Sequence, residues 1–150
     1  ADDRHENNSE AKNIWCGDSI QMAFDTENDA ISKDETGYDK DEKDFAFGLN
    51  LNDKKAYFYQ YWPIPPQLPQ GIECAIKRGK DMTCYEIKIP FEKLSPLHAH
   101  EGNAFGYNFV IFDSDSLKGG KSRAEYWMCR RPGIANGKKP ALFKTFILKK

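Results

Sequence analysis

The feature that most constrains this chain is alternation with a period of two. Ile20, Met22 and Phe24 recur at every second position, and Phe45, Phe47, Leu49 and Leu51 repeat the pattern more cleanly. Ile72, Cys74 and Ile76 follow it, as do Tyr85, Ile87 and Ile89, and then Phe105, Tyr107, Phe109 and Ile111. Successive side chains of a strand point to opposite faces, so this spacing gives each segment one apolar face. The aromatic run from Ala56 to Trp62 and the stretches 124–128 and 142–148 bring the strand candidates to about eight. Turn residues separate them: Gly37, Asn52-Asp53, Arg78-Gly79-Lys80-Asp81, Gly102-Asn103, Gly119-Gly120, Pro132-Gly133 and Asn136-Gly137. No long stretch has a helical period. Phe91-Glu92-Lys93-Leu94, between Pro90 and Pro96, reads as one helical turn. The 150 residues are predicted to form one domain, residues 1–150, of the all-β class: an antiparallel β-sandwich of jelly-roll type.

Charge narrows the function. Residues 1–53 carry 15 acidic and 5 basic side chains, and the remainder 8 and 17. That asymmetry argues against a uniformly basic nucleic-acid binder. It fits either two solvated faces or an acidic third that holds a cation. No apolar run has the length of a membrane span. The opening Ala1-Asp2-Asp3-Arg4-His5 is not an apolar targeting segment, so any signal peptide is expected to have been removed or never present.

The four cysteines, Cys16, Cys74, Cys84 and Cys129, include no Cys-x-x-Cys pair. They fit either a secreted domain with up to two disulfides, in any of three pairings, or a cytosolic one with four buried free thiols. Residues 72–78 and 82–90 read as a hairpin around Gly79. A register that sets Cys74 opposite Cys84 turns Ile72 and Ile76 away from the face of Ile87 and Ile89. The apolar pattern prefers a shift by one residue, which leaves a Cys74–Cys84 bridge open.

Catalytic patterns are mostly missing: there is no Gly-x-Ser-x-Gly, P-loop or His-Glu-x-x-His. His98-Ala99-His100 offers two imidazoles without a third evident ligand and reads as a polar loop. Asp113-Ser114-Asp115 reads as a capping or cation-binding turn rather than an acid–base pair. Asp25-Thr26-Glu27-Asn28-Asp29 and Asp39-Lys40-Asp41, with Asp44 beyond, have the oxygen-rich composition of a calcium site but not an EF-hand pattern. The expected calcium ligands are Asp25, Asn28, Asp29, Asp39 and Asp41. Trp15 stands in a polar stretch before the first strand, where a half-exposed indole suits stacking on a sugar ring.

Five segments in order resemble one family. Ile14-Trp15-Cys16-Gly17-Asp18-Ser19-Ile20-Gln21 is similar to the Trp-x-Gly-Asp-Ser-hydrophobic-Gln/Glu segment of family 9 carbohydrate-binding modules. Tyr85-Glu86-Ile87-Lys88-Ile89-Pro90-Phe91 resembles the family's Tyr-Glu-x-x-Ile-Pro-aromatic strand. Gly106-Tyr107-Asn108-Phe109 through Asp113-Ser114-Asp115, then residues 123–127 and 140–148, resemble its later strands. The resemblance implies a calcium-bearing β-sandwich without catalytic activity. It also implies a secreted setting, covalent linkage to other domains of a polysaccharide-degrading protein, and an oligosaccharide or polysaccharide as partner. It places Trp15 at one of two clamping tryptophans and Gln21 at a hydroxyl-binding position. With Asn108, Trp62 and Trp127, these form the expected carbohydrate-binding set.

Three departures accompany it. The second clamp tryptophan is expected in the C-terminal loop, which reads Ile134-Ala135-Asn136-Gly137-Lys138-Lys139-Pro140, so either Trp62 or Trp127 stands in or the site is open or altered. The 105–112 strand ends in the apolar Val110-Ile111-Phe112. Family members also carry strands before the matched segment, so either a fragment or strands supplied from elsewhere is expected. Two other classes remain open: a structural accessory domain without a ligand, and a haem-binding cytochrome-type relative using methionine and histidine.

Overall fold

A computed structural model describes residues 5–31, 36–64, 70–117, 120–128, 133–134 and 137–150, and the side chains of 115–117, 120–123 and 127 lie outside that description. The described residues form eight strands: β1 (Ser19–Asp25), β2 (Lys43–Asn50), β3 (Lys55–Trp62), β4 (Glu73–Arg78), β5 (Thr83–Lys88), β6 (Ala104–Leu117), β7 (Gly120–Trp127) and β8 (Lys144–Ile147). Among the described residues the only helices are short 3₁₀ turns, including Ala11–Cys16 and Phe91–Leu94, and none could cross a membrane.

The main sheet runs β3-β2-β1-β6-β7, with β8 also paired to β6. All of its pairings are antiparallel. Val110 to Phe112 pair with both β1 and β7, while Gly106 and Tyr107 pair with both β1 and β8. Hence β7 and β8 share one edge of β6. The second layer is the β4–β5 hairpin.

The period-two pattern sets which face is apolar. Met22, Phe24, Phe45 and Phe47 form the core face and pack with Ile72, Leu94 and Leu97 under the hairpin residues Cys74, Ile76, Tyr85 and Ile87. Burying a large apolar side chain contributes roughly 1.5–3 kcal/mol, so this face supplies most of the drive to fold. The expected sandwich is borne out.

In the hairpin, Cys74 faces Ile87 and Ile76 faces Tyr85, the register the apolar pattern prefers, so Cys84 faces Lys77 and not Cys74. Cys16, Cys74 and Cys84 are free thiols, the alternative to disulfides that the cysteine count left open, and Cys129 lies outside the described residues. One expectation needs correction. Asp113-Ser114-Asp115 is no turn: β6 continues through it to Leu117 because β7 pairs along its whole length.

Candidate functional site

The other face of the main sheet is polar at its centre. Ser19, Gln21, Ala23 and Asp25 of β1 line up there with Asp44, Ala46 and Gly48 of β2 and with Gly106, Asn108, Val110 and Phe112 of β6. The 3₁₀ turn Ala11–Cys16 lies across this face over β1, β2 and β3. Ile14 is fully buried in the space Gly48 leaves by having no side chain; a Cβ there would lie 2.5 Å from Ile14 Cγ1. That contact seats the turn and leaves the next residue, Trp15, 41% exposed. The turn is also tied to β3, since the Tyr61 hydroxyl donates to the Lys12 carbonyl at 2.8 Å.

A bulge builds the aromatic part of the site. Asp44 pairs with Trp62 but Phe45 pairs with Gln60, so one extra residue is inserted in β3. Neighbours on a regular strand point to opposite faces; the inserted residue removes that opposition. Tyr61 packs beside Tyr59, ring centroids 5.0 Å apart, while Trp62 joins Tyr38 and Phe143 over Ala23. Both aromatic side chains thus stand on the polar face. The Trp62 indole N–H donates to the Asp39 carbonyl, and its ring meets Tyr38 edge-on with centroids 6.0 Å apart. The Lys138 ammonium lies 5.1 Å from the centroids of both Tyr38 and Trp62, within cation–π range. Gly37 N–H donates to the Lys138 carbonyl at 2.8 Å, which joins the two loops.

Beneath these rings, Gln21 donates its amide to Asp44 Oδ1 at 2.7 Å. Burial raises the Asp44 carboxyl to about 6, against the lowering effect of the Gln21 hydrogen bond and the Lys138 charge. Asn108 is buried on the adjacent strand, and its Oδ1 accepts the Phe109 N–H at 2.9 Å.

An acidic cluster borders the aromatic group. Asp25, Asp29 and Asp41 bring carboxylate oxygens within 4.8 Å of one another, and so do Asp39, Asp41 and Glu42. Asp41 is 2% exposed. Its Oδ2 accepts the backbone N–H groups of Thr26 at 3.0 Å and Glu27 at 2.9 Å. Its Oδ1 is buried and meets no hydrogen-bond donor among the described residues. Burial and the carboxylates of Asp39 and Asp41 raise Glu42 to about 8. Burial also raises Asp41, with Asp39 adding to the effect, while Asp39 is lowered by its contact with Asp41. Burial raises Asp25 as well. The cluster therefore retains protons that isolated carboxyls would release, a condition a divalent cation relieves.

The structure thus brings Gln21, Trp62 and Asn108 to one face, with Trp15 on the turn that crosses it. Gln21 and Asn108 are 6% and 1% exposed, so they lie below the surface the rings present. Trp127 pairs with Val110 at the end of β7, and its side chain lies outside the described residues. Of the expected cation ligands, Asp25, Asp29, Asp39 and Asp41 converge, whereas the Asn28 Oδ1 accepts the Thr145 hydroxyl at 3.1 Å. Sequence reasoning missed Glu42, Tyr38, Tyr59, Tyr61 and Lys138. The aromatic run 57–62 was a visible signal for two of them, but only the bulge reveals which rings share a face. His98 and His100 are exposed and belong to no three-ligand group among the described residues.

No protein-family model matches the sequence, and no curated protein matches it. Among solved structures, the fold is similar to a carbohydrate binding module of family 9 from Caldicellulosiruptor kristjanssonii, solved in complex with cellotriose. The two are 19% identical with a TM-score of 0.61, over 89% of this chain. The chain spans 58% of that chain's length. At the level of fold, the resemblance read from the sequence is borne out.

Proposed function

We propose that the chain is a non-catalytic carbohydrate-binding module whose ligand is a soluble oligosaccharide or the end of a polysaccharide chain. The observation that carries the reading is the gathering of Trp62, Tyr59 and Tyr61 on one face, with exposed Trp15 on the turn crossing it and the Gln21–Asp44 pair beneath. Aromatic faces stack on the C–H faces of sugar rings, and polar groups between them select hydroxyl positions. The likeness in fold to a module solved with cellotriose supports a β-glucan as the first ligand to try. Lys138, in the loop expected to hold a second clamp tryptophan, covers Trp62 and Tyr38 instead. The site in this reading is therefore clamped on one side and open on the other. We place the module, as the resemblance suggests, in a larger secreted glycan-degrading protein.

Calcium belongs to the same reading. Asp41 would hold it together with either Asp25 and Asp29 or Asp39 and Glu42, and the buried, donor-less Asp41 Oδ1 supports the fit. The ion would supply positive charge to a cluster that otherwise retains protons.

The test is calorimetric titration of the calcium-loaded protein with cellotriose and a panel of other soluble oligosaccharides. A short glycan buries few atoms, so a Kd on the order of 10–100 μM is expected for one sugar class. Trp15→Ala should abolish that binding and leave the fold intact. A flat response across the panel from folded protein would favour a structural domain and overturn the proposal.

A further inference from the structure

We infer that cation binding at the acidic cluster and glycan binding at the aromatic face are coupled through residues 38–44, so that the cation acts as an effector of the sugar site. The inference rests on both readings above and adds a thermodynamic link between them. One short segment serves both sites. Asp39 offers its carboxylate to the cluster, and its backbone carbonyl accepts the Trp62 indole N–H. Asp41 and Glu42 complete the cluster. Tyr38, one residue before it, packs edge-on against Trp62. Asp44, just beyond it, takes the amide of Gln21. Lys43 bridges back, its ammonium donating to the Asp41 carbonyl at 2.7 Å.

Without a cation, the crowded carboxylates of Asp39, Asp41 and Glu42 are held by a few backbone bonds, such as Asp39 N–H to Glu42 Oε2 at 2.6 Å. Any relaxation of that turn moves the carbonyl and the ring that fix Trp62. A cation holds the turn closed and so favours the arrangement in which Trp62 is fixed. Coupling of this kind is reciprocal: whatever factor calcium applies to glycan affinity, the glycan applies to calcium affinity.

The experiment uses the whole chain. Cellotriose is titrated at saturating calcium and again in chelator, then calcium is titrated with and without saturating cellotriose. Terbium luminescence sensitised by the nearby aromatics reports the cation independently of the sugar. Calcium is expected to tighten glycan binding by about fivefold or more, with the same factor appearing in the reverse titration. Trp62→Phe keeps a ring but removes the N–H donated to Asp39. It should reduce that factor toward one when glycan affinity is compared in calcium and in chelator for the same variant. Equal glycan affinity with and without calcium, from folded protein that binds both, would overturn the coupling and leave the binding-module reading standing. Absence of any saturable glycan binding at saturating calcium would overturn that reading and this inference together. Absence of a terbium or calcium isotherm would overturn the cation site and the coupling, but not sugar binding.

Discussion

Gln21 donates its side-chain amide to Asp44 Oδ1 at 2.7 Å, and both residues are buried on the face opposite the main core. A buried carboxyl without its donor is costly, of the order of 1–3 kcal/mol. Gln21→Leu should therefore destabilise the protein by about that amount at pH 7. Because the Asp44 carboxyl already stands raised to about 6 by burial, it becomes neutral on mild acidification. The loss should shrink at pH 5, where a protonated Asp44 tolerates its surroundings. Urea unfolding at the two pH values checks this, and an equal loss at both would show that the amide stabilises by packing alone.

Trp15 and Trp62 should separate binding from stability. Trp15 is 41% exposed on a turn seated by its neighbour Ile14, so Trp15→Ala should cost less stability than the loss of Trp62. Trp62 packs against Tyr38 and donates to the Asp39 carbonyl, so Trp62→Ala should cost about 2 kcal/mol or more. Both are expected to remove glycan binding. Denaturant unfolding beside calorimetry distinguishes them, and a large stability loss in Trp15→Ala would place that indole in the core.

The strands were legible because their apolar residues recur at every second position, as with Met22 and Phe24 or Phe45 and Phe47. The hairpin register was legible for the same reason: Ile76 and Tyr85 have to share a face. The site was only partly so. Trp15, Gln21, Asp25 and Asp41 stand in recognisable segments. Tyr61 and Trp62 meet on one face through a bulge between Asp44 and Phe45, a tertiary feature with no local signature here. Lys138 reaches Trp62 across 76 positions of sequence, which no local pattern encodes. The cysteine count suggested bridges, but the same apolar register sets Cys74 opposite Ile87 and Cys84 opposite Lys77.

Gly48 tests how Trp15 is held. A methyl group at this position would meet Ile14 Cγ1 at 2.5 Å and Asn7 Nδ2 at 3.1 Å. Gly48→Ala should destabilise by roughly 1–3 kcal/mol through overpacking and lift the turn that carries Trp15. Adding Ile14→Ala, which removes the clashing Cγ1, should recover part of both stability and glycan affinity. A double-mutant cycle measures that recovery, and strict additivity would show that the two residues do not act on each other.

The acidic cluster makes stability depend on pH in a direction that calcium should reverse. In the folded, metal-free protein Glu42 is raised to about 8 by burial and its acidic neighbours, and Asp41 is raised by the same causes. An unfolded carboxyl releases its proton near pH 4, so between about pH 4.5 and 8 the native state holds protons that the unfolded chain has lost. Stability in chelator should therefore fall as pH rises through that window. Asp39, which is lowered, acts in the opposite sense but only on the acid side of the window. When calcium is saturating, the ion takes the place of the retained protons, and raising the pH favours its binding and the folded state. Thermal unfolding at pH 5 and pH 8, each with calcium and with chelator, should give a lower Tm at pH 8 in chelator and a higher one in calcium. Asp41→Asn should remove most of the calcium-dependent rise. A Tm in chelator that climbs from pH 5 to pH 8 would mean that these carboxyls ionise freely and that the cluster has no need of a cation.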